Sequence, residues 1–171
     1  CTLYYYSTDM AGNTETMQRH DFYVDTTPPV TTIHVNPPQP NGDNGWYTVS
    51  PSIELESERD AVIYYRWGDD NTTANVYNGT LKVPEGVNTL YYWAMDNAGN
   101  WEFARTCTFR VDTQLPVVEY TVSPAQPNEY NWYTVVPEIE LTCNEMDATI
   151  FFYWDSADKT QMYMPGSKIT G

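Results

Sequence analysis

An internal repeat limits what this chain can fold into. Residues 2–13 recur as residues 89–100, 87 positions later, and the similarity continues without a gap from Cys1 to Val30, where half of the aligned residues are identical. A self-similarity of this length indicates that one structural unit occurs more than once in the chain. A period near 87 residues is also close to the size of a small β-sandwich domain.

The repeated stretch predicts a β-hairpin. Its first half alternates between two sets of side chains, which are Leu90, Tyr92 and Ala94 on one face and Tyr91, Trp93 and Met95 on the other. This period of two and the aromatic content favour a strand with two different faces. Residues 96–100 then concentrate turn formers, with Gly99 able to adopt positive φ, and a second alternating segment follows at residues 103–111. Pro116 and its counterpart Pro29 cannot donate to a ladder, so strand pairing must end before them.

The segment between the two hairpins completes one unit. Alternating or apolar stretches separated by turn signals predict strands at residues 30–35, 46–49, 52–57, 61–67, 76–77 and 81–83, followed by the second hairpin. In the third of these strands, Ile53 and Leu55 are expected to face the core and Glu54 and Glu56 the solvent. The pattern predicts an all-β fold of antiparallel β-sandwiches with about seven strands each.

The repeat also divides the chain into segments. We assign residues 1–25 to the last hairpin of one unit, residues 26–112 to a complete unit and residues 113–171 to the first part of a further unit. Within the repeat, Gly171 corresponds to a position near Gly86, and Cys1 corresponds to Asn88, so the chain ends at almost the repeat position at which it begins. Two interpretations follow: either the chain is a piece of a longer tandem array, or neighbouring copies complete the terminal halves head to tail by strand complementation at an exposed edge. Both predict a filament.

Composition and charge exclude several classes of function. The formal net charge is −15 and the chain has only 8 Lys and Arg residues, whereas nucleic-acid binding depends on clusters of basic side chains. The longest apolar runs have the length of strands, so no membrane insertion is expected in this segment. Hydrophobic residues make up 41% and aromatic residues 15%, which favours an ordered, β-rich protein over a disordered one.

Four motifs, taken together, resemble those of a known family. They are a Pro-containing linker at residues 24–29, a Trp-Tyr stretch at residues 45–51, the start of the second hairpin at residues 83–92 and its Asp-Asn-Ala-Gly-Asn turn at residues 96–100. The combination is similar to tandem immunoglobulin-like domains, of the Big type, in large bacterial and archaeal cell-surface proteins. The resemblance implies an extracellular seven-stranded sandwich that serves as a spacer, a stalk or a building block of surface fibres, and it does not imply an enzyme. Fold alone does not define function.

The three cysteines have no obvious shared role. They lie at different repeat positions, so they do not form a repeated disulfide framework, and their spacing is not that of a zinc site. Cys107 shares a strand face with Phe109 and is predicted to be a buried thiol. Cys1 and Cys143 lie in complementary halves of one unit, which leaves a disulfide between neighbouring chains as a further hypothesis.

Four aspartates are candidates for calcium binding. Asp9 and Asp96 lie in the hairpin turns, and Asp25 and Asp112 lie in the linkers, so their carboxylates could gather at a junction between domains. The alternative is Asx-turn chemistry, in which the same side chains accept hydrogen bonds from nearby backbone N–H groups and no ion is needed. Both interpretations are compatible with the sequence, and no other cofactor is expected.

Two further kinds of site concern sugars. Asn71 and Asn78 each begin an Asn-X-Thr tripeptide, which is the acceptor sequence for N-glycosylation in surface proteins. Tyr91 and Trp93 are predicted on the outward face of a sheet, where aromatic rings either stack on sugar rings or pack against other protein surfaces.

These observations support a leading hypothesis and one alternative. The leading hypothesis is a non-enzymatic, extracellular structural protein, a repeat segment of a cell-surface filament, sheath or stalk whose partners are neighbouring copies of itself. The alternative is an adhesin or a carbohydrate-binding accessory module of a larger secreted protein, with glycans as ligands.

Overall fold

The described part of the chain is all-β and antiparallel. The computed structural model describes residues 1–68, 73–155 and 159–170. These residues contain no α-helix, and thus none that is long and apolar enough to cross a membrane. The chain separates into two compact units, with the division between Thr113 and Gln114. In chain order the strands are β1 (Thr2–Tyr5), β2 (Gln18–Asp21), β3 (Thr32–Asn36), β4 (Ser52–Glu56), β5 (Val62–Trp67), β6 (Asn75–Val76), β7 (Leu81–Lys82), β8 (Gly86–Met95), β9 (Arg105–Val111), β10 (Val118–Ser123), β11 (Glu138–Cys143), β12 (Phe151–Phe152), β13 (Gln161–Met162) and β14 (Ile169–Thr170).

Unit 1 begins with a hairpin formed by β1 and β2. Thr2 pairs with Asp21 and Tyr5 with Gln18, and the two strands form a sheet of their own. The connecting turn contains Gly12 at a φ of 91°, a left-handed conformation that side chains with a Cβ rarely adopt. Side chains of β1 are exposed on both faces. A two-stranded hairpin of this kind has little stability by itself in water.

The remainder of unit 1 consists of two antiparallel sheets, ordered β3-β4-β7 and β6-β5-β8-β9. In β4, Ile53 and Leu55 are buried while Glu54 and Glu56 are exposed, so the predicted alternation is confirmed. Strand β8 alternates in the same way. Its buried side chains are Leu90, Tyr92 and Ala94, and the residues between them are partly exposed.

One core cluster joins the two sheets of unit 1. Its buried members are Tyr47, Ile53, Leu55, Val83, Leu90, Tyr92, Phe109 and Val111. Because β4 belongs to one sheet and β8 and β9 to the other, this cluster lies between the sheets, which is consistent with a β-sandwich. Burying a side chain as completely as Leu90 contributes about 1.5–3 kcal/mol relative to leaving it exposed.

The strand predicted at residues 46–49 is reduced to a single bridge. Tyr47 pairs in parallel with Val111, donating its N–H to the Arg110 carbonyl at 2.8 Å and accepting from the Asp112 N–H at 2.9 Å. The next residue does not extend the pairing, because the Thr48 N–H donates instead to the side-chain oxygen of an asparagine in the preceding loop, at 3.0 Å. Loop side chains therefore replace the ladder that the sequence pattern predicts.

Unit 2 repeats the first part of this arrangement. Its sheets are ordered β10-β11-β14 and β12-β13. Ile139 of β11 lies opposite Ile169 of β14, just as Ile53 of β4 lies opposite Leu81 of β7. The equivalence of β11 with β4 agrees with the sequence match between residues 132–141 and 46–55.

The core of unit 2 is smaller than that of unit 1. Its buried members are Ile150, Tyr163 and Ile169. Ile139 and Leu141 pack against them but are only half-buried, although their counterparts Ile53 and Leu55 in unit 1 are buried. The described residues of unit 2 include counterparts of β3 to β7 but none of β8 or β9.

Candidate interaction surfaces

The repeated turn has the same hydrogen bonds in both hairpins. The Asn13 N–H and side-chain amide donate to the two carboxylate oxygens of Asp9 at 2.8 and 2.7 Å, and Asn100 donates in the same way to Asp96, at 2.8 Å in each case. The amide of the asparagine side chain is the main cause of a lowered pKa at Asp9 and at Asp96. Both carboxylates are therefore held in their charged form by the turn itself.

In the second hairpin the turn also holds the preceding linker. The side-chain amide of Asn100 donates to the Asp25 carbonyl at 3.2 Å. The carboxylate of Glu102, whose side chain is 7% exposed, accepts from the Thr31 N–H at 3.1 Å, from the Thr31 hydroxyl at 2.6 Å and from the Arg105 Nε at 2.7 Å. The linker that leads into β3 is thus fixed at both of its ends, at residues 25 and 31.

A second carboxylate holds the linker that leaves unit 1. The Thr113 N–H and hydroxyl donate to the two carboxylate oxygens of Glu85, at 2.7 and 3.2 Å. Charge-assisted bonds of this kind are stronger than those between neutral groups. We call these contacts of Asn100, Glu102 and Glu85 the linker clamps. Because they orient backbone and hold no reactive group, they suit a positioning role rather than a chemical one.

The sequence patterns did not predict the linker clamps. Glu102 occupies the repeat position of Glu15, and this identity, together with Thr31 directly after the linker, was the available signal. It was weak, because glutamate side chains are mostly exposed to solvent. The contact joins residues 71 positions apart, which local patterning does not reveal.

The four aspartates predicted for calcium each have hydrogen bonds within the protein. Asp9 and Asp96 accept hydrogen bonds within their own turns, and the Asp25 carboxylate accepts from the Thr27 N–H at 3.0 Å. At Asp112 the backbone N–H donates to Tyr47. Residues 1–68, 73–155 and 159–170 contain no group of three or more His, Cys, Asp or Glu side chains that could hold a metal ion. The carboxylate contacts of Asp9, Asp25 and Asp96 are those of Asx-turn chemistry.

The first hairpin exposes the face that the second one buries. Leu3, Phe22 and Val24 are 50%, 43% and 78% exposed. Their repeat counterparts Leu90, Phe109 and Val111 are 0%, 4% and 0% exposed, because the sheet of β3, β4 and β7 covers them. The first hairpin therefore presents an apolar face to solvent.

Two cavities lie beside the small core of unit 2. A cavity of about 440 Å³ is lined by residues that include Leu141, Cys143 and Ile150. A second, of about 460 Å³, is lined by residues that include Phe152 and Ile169. Among these lining residues, Leu141, Cys143 and Phe152 are half-buried, whereas Ile150 and Ile169 are buried.

Aromatic side chains cover the outward face of β5 and β8. Trp93 stacks on Tyr64 with ring centres 6.2 Å apart, and Trp101 lies 5.4 Å from Tyr64 at a tilt. The Arg66 guanidinium lies 4.1 Å from the centre of the Tyr91 ring, within the range of a cation–π contact. The two predicted sugar-binding residues, Tyr91 and Trp93, therefore have partners within the sheet.

The remaining predicted sites are placed as follows. Cys1 is exposed, while Cys107 and Cys143 are half-buried, and all three are free thiols. Burial raises the pKa of Cys107, as expected for a thiol packed beside the core. Asn78 is exposed between β6 and β7, where a glycan has room, whereas Asn71 lies outside the described residues.

Comparison with known proteins assigns no family. No protein-family model matches this sequence, and no curated protein matches it at a significant level.

Proposed function

We propose that this chain is a non-enzymatic structural segment of an extracellular filament, sheath or stalk, built from immunoglobulin-like units joined end to end. The observation that carries the proposal is the pair of linker clamps. Asn100 and Glu102 fix the linker that enters the complete unit, and Glu85 fixes the one that leaves it. A carrier of flexible domains has no need of such contacts, whereas a spacer needs defined angles between its units.

Composition agrees with this role. Short linkers that contain proline restrict the angle between neighbouring units. The net charge of −15 keeps assembled fibres apart in solution and resists unspecific association. The linker clamps and the exposed apolar sheet faces are contacts of the kind that join protein units to one another.

The proposal is tested on the surface of the source cells. Antibodies raised against the purified chain, applied to intact cells and imaged by immunogold electron microscopy, are expected to label filaments, a sheath or stalks outside the cell envelope. Pre-immune serum and antibody absorbed with the purified chain are the controls. Labelling confined to the cell interior, or to isolated particles that bear an enzyme, would overturn the structural role.

A second candidate function is glycan binding. The observation that favours it is Trp101, which is 53% exposed and extends the aromatic cluster of Tyr64 and Trp93 toward solvent. Aromatic side chains can stack on sugar rings only where their faces are exposed at a surface in this way.

A glycan array separates this candidate from the structural one. Binding that is lost in Trp93→Ala and in Tyr91→Ala, and kept in the control variant Trp132→Ala, would support a sugar-binding role. Trp132 is a suitable control because it is also exposed but lies in unit 2. Absence of binding by the wild-type chain leaves the structural role as the function that the surfaces support.

A further inference from the structure

We infer that Asn78 carries an N-linked glycan, and that this glycan lies over Tyr64, Trp93 and Trp101, the aromatic patch on the outward face of the neighbouring sheet. The inference rests on the extracellular location in the proposed function, because N-glycosylation is a modification of secreted and surface proteins. All the residues that carry it belong to the sandwich of unit 1.

The acceptor tripeptide lies in the connection between β6 and β7. Its three residues, Asn78, Gly79 and Thr80, are all exposed. The Thr80 hydroxyl, which the acceptor sequence requires, donates to the Glu54 carboxylate at 3.4 Å, a long distance for an O–H···O bond. The tripeptide is therefore accessible from solvent.

The Asn78 side chain does not hold the turn in which it lies. Among the residues that the structure describes, none forms a hydrogen bond with its amide group. By contrast, the turn asparagines Asn13, Asn100 and Asn128 each have side-chain hydrogen bonds within their own turns. The amide nitrogen of Asn78 is therefore available for a bond to a sugar.

The corresponding connection in unit 2 shows that the fold does not require an asparagine at this place. Tyr77 and Tyr163 each donate their backbone N–H to the carbonyl of an isoleucine, at 2.8 and 2.9 Å. Asn78 follows the first of these tyrosines, whereas Met164 follows the second. Strand pairing therefore does not explain the acceptor sequence of unit 1, and a modification does.

The acceptor is presented at a fixed place between the two sheets. The Tyr77 hydroxyl accepts from the Leu55 N–H of β4 at 3.1 Å, while the Tyr77 N–H donates to Ile63 of β5. Within the described residues, β6 and β7 are the end strands of their sheets. A glycan at Asn78 thus stands over the unpaired edges of both strands, which are otherwise open to pairing with another chain.

The aromatic patch begins one strand away from the acceptor. Val76 of β6 lies opposite Tyr64 of β5, and the Tyr64 ring contacts both Trp93 and Trp101. Paired Cα atoms are no more than about 5.5 Å apart, and two residues of extended chain span at most about 7 Å. The Cα atoms of Asn78 and Tyr64 are therefore within about 13 Å of each other, a distance that an oligosaccharide bridges.

The patch has the chemistry that a sugar chain needs. Trp101 is 53% exposed, so part of its ring is open to solvent. The C–H groups of a sugar ring pack on an aromatic face while its hydroxyl groups stay in water. A glycan on the neighbouring strand connection therefore covers apolar surface that the sandwich itself leaves exposed.

Mass spectrometry of the chain purified from its source cells tests the attachment. Cleavage after Tyr77 separates Asn78 from the other acceptor sequence, at Asn71, which lies outside the described residues. We expect a glycan on the peptide that begins at Asn78.

Variants expressed in the same cells test whether the acceptor sequence is responsible. Thr80→Ala should abolish the modification and Thr80→Ser should retain it, because the hydroxyl defines the acceptor. Asn75→Gln is the matched control, since Asn75 is also exposed but Val76 and Tyr77 follow it in place of an acceptor sequence. Asn78→Gln supplies the bare chain.

Oxidation of tryptophan side chains tests where the glycan lies. Trp101 should be oxidised about 3-fold faster or more in Asn78→Gln than in the glycosylated chain, because a stacked sugar covers much of its exposed ring. Trp132 is the internal control, since it is exposed but lies in unit 2, and its oxidation rate should be the same in both chains.

Each outcome decides the inference. A glycan at Asn78 that depends on the Thr80 hydroxyl, together with selective protection of Trp101, supports it. An unmodified Asn78, loss of the glycan in Asn75→Gln, or equal oxidation of Trp101 in both chains overturns it. An unmodified Asn78 in a chain that immunogold labelling places outside the cell would leave the proposed function standing, because the labelling does not depend on the glycan.

Discussion

The two hairpins of unit 1 have the same sequence motif and different surroundings. Both close with an aspartate held by an asparagine four residues later, and both have glycine at a φ of 91° in the turn. Strand β8 nevertheless extends over 10 residues, whereas β1 extends over 4. The difference teaches that the turn is a local property of the motif, while strand length and burial are supplied by the neighbouring strand and the opposite sheet.

The largest expected difference between the two hairpins is in the loss of stability when Leu90 or its counterpart Leu3 is replaced. Leu90→Ala should lower the free energy of unfolding of the sandwich in unit 1 by about 2–5 kcal/mol, because it leaves a cavity at a side chain with no exposure. Leu3→Ala removes the same atoms from a side chain that is 50% exposed and should change it little. Urea denaturation in dilute solution measures both, and equal losses would contradict the comparison.

The second largest difference is expected between Glu102 and Glu15, the glutamates that follow the two turns, in the stability that each contributes. Glu102→Ala removes the acceptor of the buried Thr31 N–H and hydroxyl and should cost about 1–3 kcal/mol. In the described part of the chain the Glu15 side chain has no hydrogen-bond partner, so Glu15→Ala is the matched control. Hydrogen exchange at the Thr31 amide should become faster in the first variant and stay unchanged in the second. Protection retained in Glu102→Ala would show that the clamp does not hold the linker.

The smallest expected difference concerns pH. The asparagine side chains lower the pKa of both Asp9 and Asp96, so each turn gains stability that is complete above the unfolded aspartate pKa of about 3.9 and is lost as pH falls through the lower folded pKa. Titration of the carboxyl carbons by NMR should place both below the ordinary aspartate value. A lowered pKa at Asp96 alone would mean that the turn requires the sandwich around it.

Sequence patterning predicted the local part of the fold. Alternation correctly placed Ile53 and Leu55 inward, and the turn residues predicted positive φ at Gly99. It failed at Thr48, where a loop asparagine takes the N–H that a strand would use. Such competition depends on a side chain seven positions away in a loop of irregular geometry, and no period in the sequence records it.

The candidate surfaces were predictable in part, for a related reason. The match between hairpins identifies Leu3 as the counterpart of Leu90, but it does not reveal that Leu3 is exposed and Leu90 buried. The clamp between Glu102 and Thr31 depends on a contact across the fold and could not be read from spacing. The partnership of Arg66 with Tyr91 likewise requires the register of β5 against β8.

The bridge between Tyr47 and Val111 has a mechanical consequence. The chain enters the sandwich at Thr31, beside Glu102, and leaves it past Thr113, beside Glu85, which lie at opposite ends of the strands. Hydrogen bonds between strands are perpendicular to them, so tension applied through the two linkers shears the bonds of β3 and β9 together instead of peeling them one by one. The parallel bridge adds two bonds at the exit. A unit of this kind is suited to resist tension applied along its length.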